Sequence, residues 1–438
     1  MRGGFTFLVL VILLFLSWIT TSSSPFGQTS HPAGTSERPA FTRAELSHGQ
    51  KYVPDEVLVR FRPGTSRPTM LSAHARAAAE VKRSFTAVRG LHLVKVPAGT
   101  SLHTALRSYR SDPNVLYAEP NYIVHALTLP NDPLFPQQWG LNNTGQEGGA
   151  TGADIHASQA WDITQGSPNV VVAVIDSGID YNHPDLAANV WTAPTGFTSA
   201  GQFGTGFTCP AETHGINVVS GTCDPMDDLG HGTHVSGIIG AVGNNSVGVA
   251  GVNWNVGLMA CKFLDSQGNG GEAGAIACLD FVKAMKDSGV NIIATNNSWG
   301  GDFSSRALRD AISAQEQDGI LFVAAAGNEF QDNDEVPTYP ANLFIPNVVS
   351  VAATTRTDAL AFFSDIGKRT VHLGAPGQDI LSTLPGNNYA LETGTSMSAP
   401  FVTGVAALLK AANPSWDWKT IRNQILAGGT PSPLWRTR

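Results

Sequence analysis

The stretch Gly394-Thr395-Ser396-Met397-Ser398-Ala399-Pro400 places a serine among small residues, directly before an apolar run. Residues 401–409 carry apolar side chains at the spacing of a buried helix, and proline is tolerated in the first turn of a helix. Ser396 is therefore predicted at a helix N-terminus, where free backbone N–H groups can stabilise an oxyanion. The alternative is a plain helix cap, for which serine is common. The remaining motifs decide between these two interpretations.

Residues 127–438 alternate apolar strands with helical patterns. The strands are short continuous apolar runs, as in a parallel sheet that is covered on both faces. They are predicted at residues 170–175, 257–263, 292–295, 320–325 and 348–353, with helices at residues 273–286 and 305–317. This order predicts the α/β class, with a doubly wound, mostly parallel sheet whose functional residues lie at the carboxyl ends of the strands.

Polar motifs stand at four of these element boundaries. Asp176 follows the first strand, His231 opens an apolar helix, Asn328 follows the strand at residues 320–325, and Ser396 comes last. A serine hydroxyl needs a neutral imidazole to remove its proton, and a carboxylate must orient that imidazole. An amide side chain can donate a hydrogen bond to the oxyanion. These residue types therefore indicate nucleophilic acyl transfer.

Four quoted segments resemble the signatures of the subtilisin-like serine proteases, the subtilases. The segments occur in the order and spacing of that family across residues 127–438. They are Val174-Ile175-Asp176-Ser177-Gly178-Ile179-Asp180, His231-Gly232-Thr233-His234-Val235-Ser236-Gly237, Ala326-Gly327-Asn328-Glu329 and the Ser396 stretch. The resemblance implies a secreted serine endopeptidase that acts on polypeptides through an acyl-enzyme intermediate.

The resemblance also implies a role for each residue of the motifs. Ser396 is the expected nucleophile, His231 the general base and then acid, and Asp176 the carboxylate that orients it. Asn328 is the expected oxyanion donor. His234 is interpreted as a structural histidine on the helix behind His231.

Substrate is expected to lie as an added strand between two backbone segments, as the family binds it. The residues that the resemblance assigns to substrate binding are Ser298, Trp299, Gly300, Gly268, Gly270, Ala325, Ala326, Gly327 and Thr338. Trp299 matches an outer subsite, although an ordinary surface aromatic is the alternative. The segment 325–327 should form an apolar wall of the primary pocket, with Thr338 near its base.

A structural calcium ion is the expected cofactor. The glycine-rich loop at residues 243–249 resembles the calcium loop of the family, and two carboxylates match its acidic ligands. The implied ligands are Asp132, Asp185, Gly243, Asn245, Val247 and Val249. Oxygen ligands from distant segments suit calcium better than zinc.

The sequence of residues 1–126 predicts that the chain is exported and that it contains a second folded unit. Residues 1–24 have the layout of a signal peptide: a basic residue, an apolar run too short to span a membrane, and small polar residues. Residues 25–52 have the composition of a disordered leader. Residues 53–126 predict a small α+β domain with three strands and with helices at residues 73–81 and 101–109.

The domain at residues 53–126 resembles the inhibitory prodomain of the subtilases, through this element order and Glu119-Pro120-Asn121-Tyr122. The extended segment Asn131-Asp132-Pro133-Leu134-Phe135 leads into the peptidase domain and resembles the corresponding segment of the thermitase-like branch. The segment after Ser396 is shorter than the family usually carries, which suggests a truncated end.

Composition and charge describe an ordinary globular protein, with 42% hydrophobic and 14% charged residues and a net charge of −8. Basic residues outnumber acidic ones in residues 28–126, and the reverse holds in residues 127–438. The two modules should therefore attract each other, and a nucleic-acid surface is the weaker interpretation.

Four cysteines in an exported chain allow three connectivities. Cys209 and Cys223 flank an insertion before His231 and form the expected pair. Cys261 and Cys278 are either a second bridge or two buried thiols.

Two other functions use the same features. A peptide ligase or cyclase would keep the triad, and a secreted binding protein could use an inactive protease scaffold. The intact motifs favour the peptidase. The expected partners are polypeptide substrates and the chain's own prodomain, without nucleic acid or a stable membrane anchor, and a monomer is expected.

Overall fold

The computed structural model describes residues 6–7, 52–97, 99–123, 129–199 and 206–430. These residues form two compact units, which we call the small unit (within residues 52–123) and the large unit (residues 129–430 with Thr6–Phe7). The predicted signal peptide and leader lie outside the described residues, apart from Thr6–Phe7 and Tyr52. The predicted boundary at residue 126 also lies outside them. Across the described ranges, no helix is both long and apolar enough to cross a membrane.

The small unit is a four-stranded antiparallel sheet with two helices. Its elements are strand β2 (Tyr52–Phe61), helix α1 (Arg67–Arg76), strands β3 (Glu80–Ser84) and β4 (Leu91–Lys95), helix α2 (Leu102–Arg110) and strand β5 (Val115–Tyr122). The strand order is β3-β4-β2-β5. Alternate residues of β2, namely Val57, Val59 and Phe61, are buried in the core beneath the helices.

The helix predicted at residues 73–81 is wrong at both ends. Helix α1 begins six residues earlier, where the Ser66 hydroxyl accepts the N–H of Thr69 as an N-cap. It ends at Arg76, and Ala78 takes a left-handed conformation with φ of 53°. The following strand β3 was missed because it is a charged, exposed edge strand, which a search for apolar runs does not detect.

The large unit is built on one parallel sheet. Its strands are β1 (Thr6–Phe7), β6 (Gly166–Asp176), β9 (Gly215–Asn217), β10 (Asn255–Lys262), β11 (Ile292–Asn297), β12 (Leu321–Ala325), β13 (Val348–Thr354) and β14 (Leu373–Pro376). The order across the sheet is β1-β14-β13-β12-β11-β6-β10-β9. Two hairpins stand apart from it: β7 (Phe197–Thr198) with β8 (Thr208–Cys209), and β15 (Ile380–Leu384) with β16 (Asn388–Glu392).

Helices cover both faces of the sheet. They are α3 (Ala157–Trp161), α4 (His231–Gly240), α5 (Glu272–Asp287), α6 (Arg306–Gln317), α7 (Thr395–Ala412) and α8 (Trp418–Gly428). Successive residues of β6 enter opposite cores: Val172 and Val174 pack with α4 and α7, whereas Ala173 and Ile175 pack with α5 and α6. A strand buried on both faces must be continuously apolar, so the predicted doubly wound α/β fold is confirmed.

Both cysteine pairs are disulfide-bonded. Cys209 pairs with Cys223, as predicted. Cys261 of β10 pairs with Cys278 of α5, which excludes the alternative of two buried thiols. The second bridge joins the sheet to a helix on one of its faces.

Candidate active site

Asp176 and His231 meet at the carboxyl end of strand β6. The strand ends at Asp176, and helix α4 begins at His231. Oδ1 of the fully buried Asp176 lies 2.8 Å from Nδ1 of His231. Because a carboxylate can only accept, Nδ1 carries the proton and Nε2 is left free as a base. Burial opposes protonation of His231, but the charge and hydrogen bond of Asp176 outweigh it, so its pKa is raised.

Ser396 is the second residue of helix α7. Its hydroxyl donates to the carbonyl oxygen of Ser298 at 3.3 Å, and the Ser298 hydroxyl donates to the carbonyl oxygen of Ser396 at 2.8 Å. Ser298 lines the same cleft as His231, and α7 packs directly against α4. The start of α7 and the start of α4 therefore meet at one site.

Asn328 follows strand β12 and is held by Thr395. Its Oδ1 accepts the Thr395 N–H at 2.9 Å and the Thr395 hydroxyl at 3.0 Å. A Cβ atom placed on Gly394 would lie 3.6 Å from Asn328 Nδ2 and 3.6 Å from the backbone N of Ser396. These two donors therefore border one small space beside the serine, as an oxyanion hole requires.

A cleft of about 580 Å³ opens beside His231. Its lining residues are Leu229, His231, Phe263, Leu264, Gly268, Asn269, Gly270, Ser298, Trp299, Gly300 and Glu392. Five of the nine predicted substrate-binding residues are among them. The ring of Trp299 packs edge-on against Phe263, with centroids 5.1 Å apart. Trp299 is thus part of the cleft wall and not an isolated surface aromatic.

The four other predicted substrate residues do not line this cleft. Ala325 and Ala326 are buried, and Thr338 donates to the buried carboxylate of Asp365 at 3.2 Å. A Cβ atom on Gly327 would lie 2.1 Å from that carboxylate, so glycine is required there. The expected apolar wall therefore has a carboxylate behind it. Burial raises the pKa of Asp365 to about 6.

Sequence analysis missed Asp227, which joins the two halves of the site. Its buried carboxylate accepts the Ser177 hydroxyl at 2.8 Å and the Gly230 N–H at 3.0 Å through Oδ1. Oδ2 accepts the N–H and hydroxyl of Thr233 at 2.8 and 2.6 Å. The residue after Asp176 is thereby tied to the first turn of the His231 helix. An acidic residue four positions before His231 was the available signal, because carboxylates commonly cap helix N-termini.

The predicted calcium ligands lie together in the large unit. Asp132 accepts the N–H groups of Asn244 and Asn245 at 2.6 and 3.2 Å, and Asp185 accepts the Asn245 side chain at 2.8 Å. Burial, with a smaller contribution from the charge of Asp132, raises the pKa of Asp185 to about 6. The carbonyl oxygens of Gly243, Val247 and Val249 accept no hydrogen bond from any described residue. Two repelling carboxylates and three unpaired carbonyl oxygens fit an oxygen-binding cation.

Two family models match this chain. A model of the subtilase family matches residues 167–428, and a model of the fervidolysin N-terminal prodomain matches residues 40–121.

Similar proteins agree with these matches. The chain is 36% identical over 364 residues to a thermophilic serine proteinase of Bacillus sp. strain AK1, with 82% of this chain and 78% of that protein covered. It is 34% identical over 287 residues to thermitase of Thermoactinomyces vulgaris, with 65% and 87% covered. Among solved structures, a cold adapted subtilisin-like serine proteinase matches with a TM-score of 0.50 and 29% identity, covering 66% of this chain and 89% of that one.

Proposed function

This chain belongs to the subtilase family and is a serine endopeptidase with an N-terminal prodomain, and we propose that Asp176, His231 and Ser396 form its catalytic triad. The paired Asp176 and His231 carry this proposal, since they hold a free Nε2 at the cleft in which Ser298 contacts Ser396. The substrates are polypeptides that lie in this cleft.

The reaction begins when the Ser396 hydroxyl leaves the Ser298 carbonyl and attacks the scissile carbonyl carbon. Nε2 of His231 takes the hydroxyl proton as the new C–O bond forms, and Asp176 stabilises the resulting imidazolium. The tetrahedral intermediate then expels the amine, which receives this proton from His231. Water hydrolyses the acyl-enzyme through the same base, which restores the free serine.

The developing oxyanion is stabilised by Asn328 Nδ2 and the Ser396 N–H. Supporting this role, Thr395 occupies the amide oxygen of Asn328, so the amide nitrogen is the end left free to donate. Both donors are fixed before substrate binds, and such preorganised donors stabilise a transition state strongly.

The prodomain model matches residues 40–121, which cover the small unit except for its last two residues, and we infer that the small unit inhibits the enzyme until the chain cleaves itself. The chain is then a zymogen, exported through the signal peptide and active outside the cell. The two disulfides agree with an oxidising compartment.

A calcium ion is the proposed structural cofactor. Asp132, Asp185, the Asn245 side chain and the carbonyl oxygens of Gly243, Val247 and Val249 would hold it. The ion would neutralise the two carboxylates and stabilise the native state alone. No step of peptide hydrolysis involves it.

Labelling with a serine-directed fluorophosphonate tests the proposed function. The active chain should be modified at Ser396, as located by peptide mass spectrometry. Its peptidase activity should fall in proportion to the fraction of Ser396 that is modified. Ser398→Ala is a matched control, because Ser398 lies on the same helix and donates instead to Ala375. Modification at another serine, or full activity after modification of Ser396, would contradict the triad.

A further inference from the structure

We propose that Glu392 forms a subsite for a cationic side chain, lysine or arginine, of the polypeptide substrate close to the scissile bond. Glu392 is the last residue of strand β16 and lines the cleft together with His231. The inference rests on the proposed peptidase function and adds a preference among its substrates.

The side chain of Glu392 is half-buried, and its carboxylate receives no hydrogen bond from any described residue. The nearest basic atom is Nδ1 of His234, which lies 3.9 Å from its Oε2. Nε2 of His234 donates to the carbonyl oxygen of Ala390 at 3.1 Å, so Nδ1 has no proton to offer when the ring is neutral. Burial lowers the pKa of His234 to about 4, so the ring is neutral at pH 7.

Charges of both signs act on Glu392. Protonated His231, the one other titratable side chain of the cleft lining, acts on it as a positive charge, whereas Asp176 and Asp227 act as further negative charges. Nδ1 of His231 is already bound to Asp176. The carboxylate of Glu392 thus faces the cleft without a hydrogen-bonded counter-ion among the described residues.

A substrate cation would supply that counter-ion. A charge-assisted hydrogen bond in a partly buried cleft is stronger than one at an open surface, and an acidic side chain at the same place would be repelled. Leu229, Phe263 and Trp299 line the same cleft and offer apolar surface for the methylene groups of such a side chain. Recognition of lysine or arginine follows from these two features.

A peptide series with the mature enzyme tests the subsite. In one quenched fluorescent peptide, lysine, norleucine and glutamate are exchanged in turn at each of the three positions on either side of the scissile bond. At one position the wild type should cleave the lysine peptide with a kcat/KM about tenfold above that of the norleucine peptide. This preference should decrease with increasing salt.

Two variants separate the charge of Glu392 from a general effect on the enzyme. At a pH above the acid limb of the activity profile, Glu392→Gln should reduce the ratio to about one and still cleave the norleucine peptide, and Glu392→Lys should favour glutamate. Glu335→Gln is the matched control, since Glu335 is an exposed acid of the large unit outside the cleft lining, and it should retain the preference.

Three outcomes would overturn the subsite: no lysine preference in the wild type, a preference unchanged by salt, or one unchanged in Glu392→Gln. The salt series uses the wild type alone, so it decides the question even where a variant fails to fold. An enzyme that cleaves no peptide at all would overturn the proposed function and this inference with it. Cleavage without a cation preference overturns only the inference.

Discussion

Asp176 and His231 are 55 positions apart in the chain, yet Oδ1 of the first lies 2.8 Å from Nδ1 of the second. Both atoms are fixed by the ends of regular elements, strand β6 and helix α4, and Asp227 joins the two ends. The pairing determines which imidazole nitrogen is free, and it stabilises the protonated form of His231.

The pH profile should show this stabilisation. Activity needs neutral His231, and the pKa of His231 is raised, so the proton stays bound to a higher pH than on an ordinary histidine. The acid limb of kcat/KM should therefore have its midpoint above about 6.5, the unperturbed value. Measurements from pH 5 to 10 on a neutral peptide check this, and Glu392→Gln should move the midpoint down. A midpoint at or below 6.5 would contradict the prediction.

Asn328→Ala should lower kcat by about 10²–10³ with little change in KM, a magnitude measured on the equivalent donor of subtilisin and not obtained from this structure. The reason is that Asn328 Nδ2 acts on the oxyanion, which the bound substrate does not yet carry. Steady-state kinetics on one peptide measure both constants. Asn182→Ala, an exposed asparagine, is the control and should keep wild-type values. An effect of Asn328→Ala mainly on KM would mean that the residue binds substrate.

Ser396→Ala should leave the small unit covalently attached to the large one. Without the nucleophile the chain cannot form the acyl-enzyme that cleaves its own linker. Mass spectrometry of the purified variant checks this, in a host that lacks other proteases. Addition of active wild-type enzyme should then cleave the variant, which shows that its linker is a competent substrate. Maturation of Ser396→Ala on its own would show that another residue or enzyme performs the cleavage.

Calcium should stabilise the large unit. In Ser396→Ala, excess calcium should raise Tm by several degrees over a chelator, because the ion binds only the native state. Asp185→Ala should remove this difference, since it deletes a carboxylate of the proposed site. Glu335→Gln should keep it. Calorimetric titration of calcium provides a second measurement. Equal melting curves in calcium and chelator would exclude a structural ion.

The parallel sheet could be predicted from sequence because it is buried on both faces. Strands such as β6 and β12 have continuous apolar runs, and their polar residues follow directly at the carboxyl ends. The residues of the proposed triad could be predicted for the same reason. Strand β3 has no apolar face to detect, so burial offered no signal there.

Asp365 and Glu392 could not be predicted because their roles depend on contacts between distant segments. Asp365 is buried, and its hydrogen-bond donor Thr338 lies 27 positions away in the chain. Glu392 ends strand β16, in which Tyr389 is the one residue of a type that is enriched in strands. A single acidic residue in a loop or an edge strand has the same local pattern whether it faces solvent, a loop or a substrate.

The small unit contains a buried histidine that should make its stability depend on pH. His74 of α1 is 3% exposed, and its Nδ1 lies 2.8 Å from the Tyr109 hydroxyl of α2. Its Nε2 lies 2.9 Å from Nδ1 of His92 on β4, and the ring of Phe61 packs against it. Burial, with a smaller contribution from the charge of His92, lowers the pKa of His74 to about 4.

The sign follows from proton binding. In the unfolded chain the pKa of His74 is about 6.5. Between that pH and about 4, the unfolded state therefore binds more protons than the folded state. The free energy of unfolding should therefore fall on acidification through this window, by on the order of 3 kcal/mol from His74. Between pH 7 and pH 5, full-length Ser396→Ala should show about 2 kcal/mol of this loss, measured by hydrogen exchange of α2 in a urea series. His74→Gln should reduce the loss, because a neutral amide replaces the titrating ring, whereas His103→Gln, on the exposed face of α2, should not. A small unit equally stable at both pH values would mean that His74 remains neutral in the unfolded chain too, or accepts its proton without cost in the folded one, and either result would contradict the burial argument.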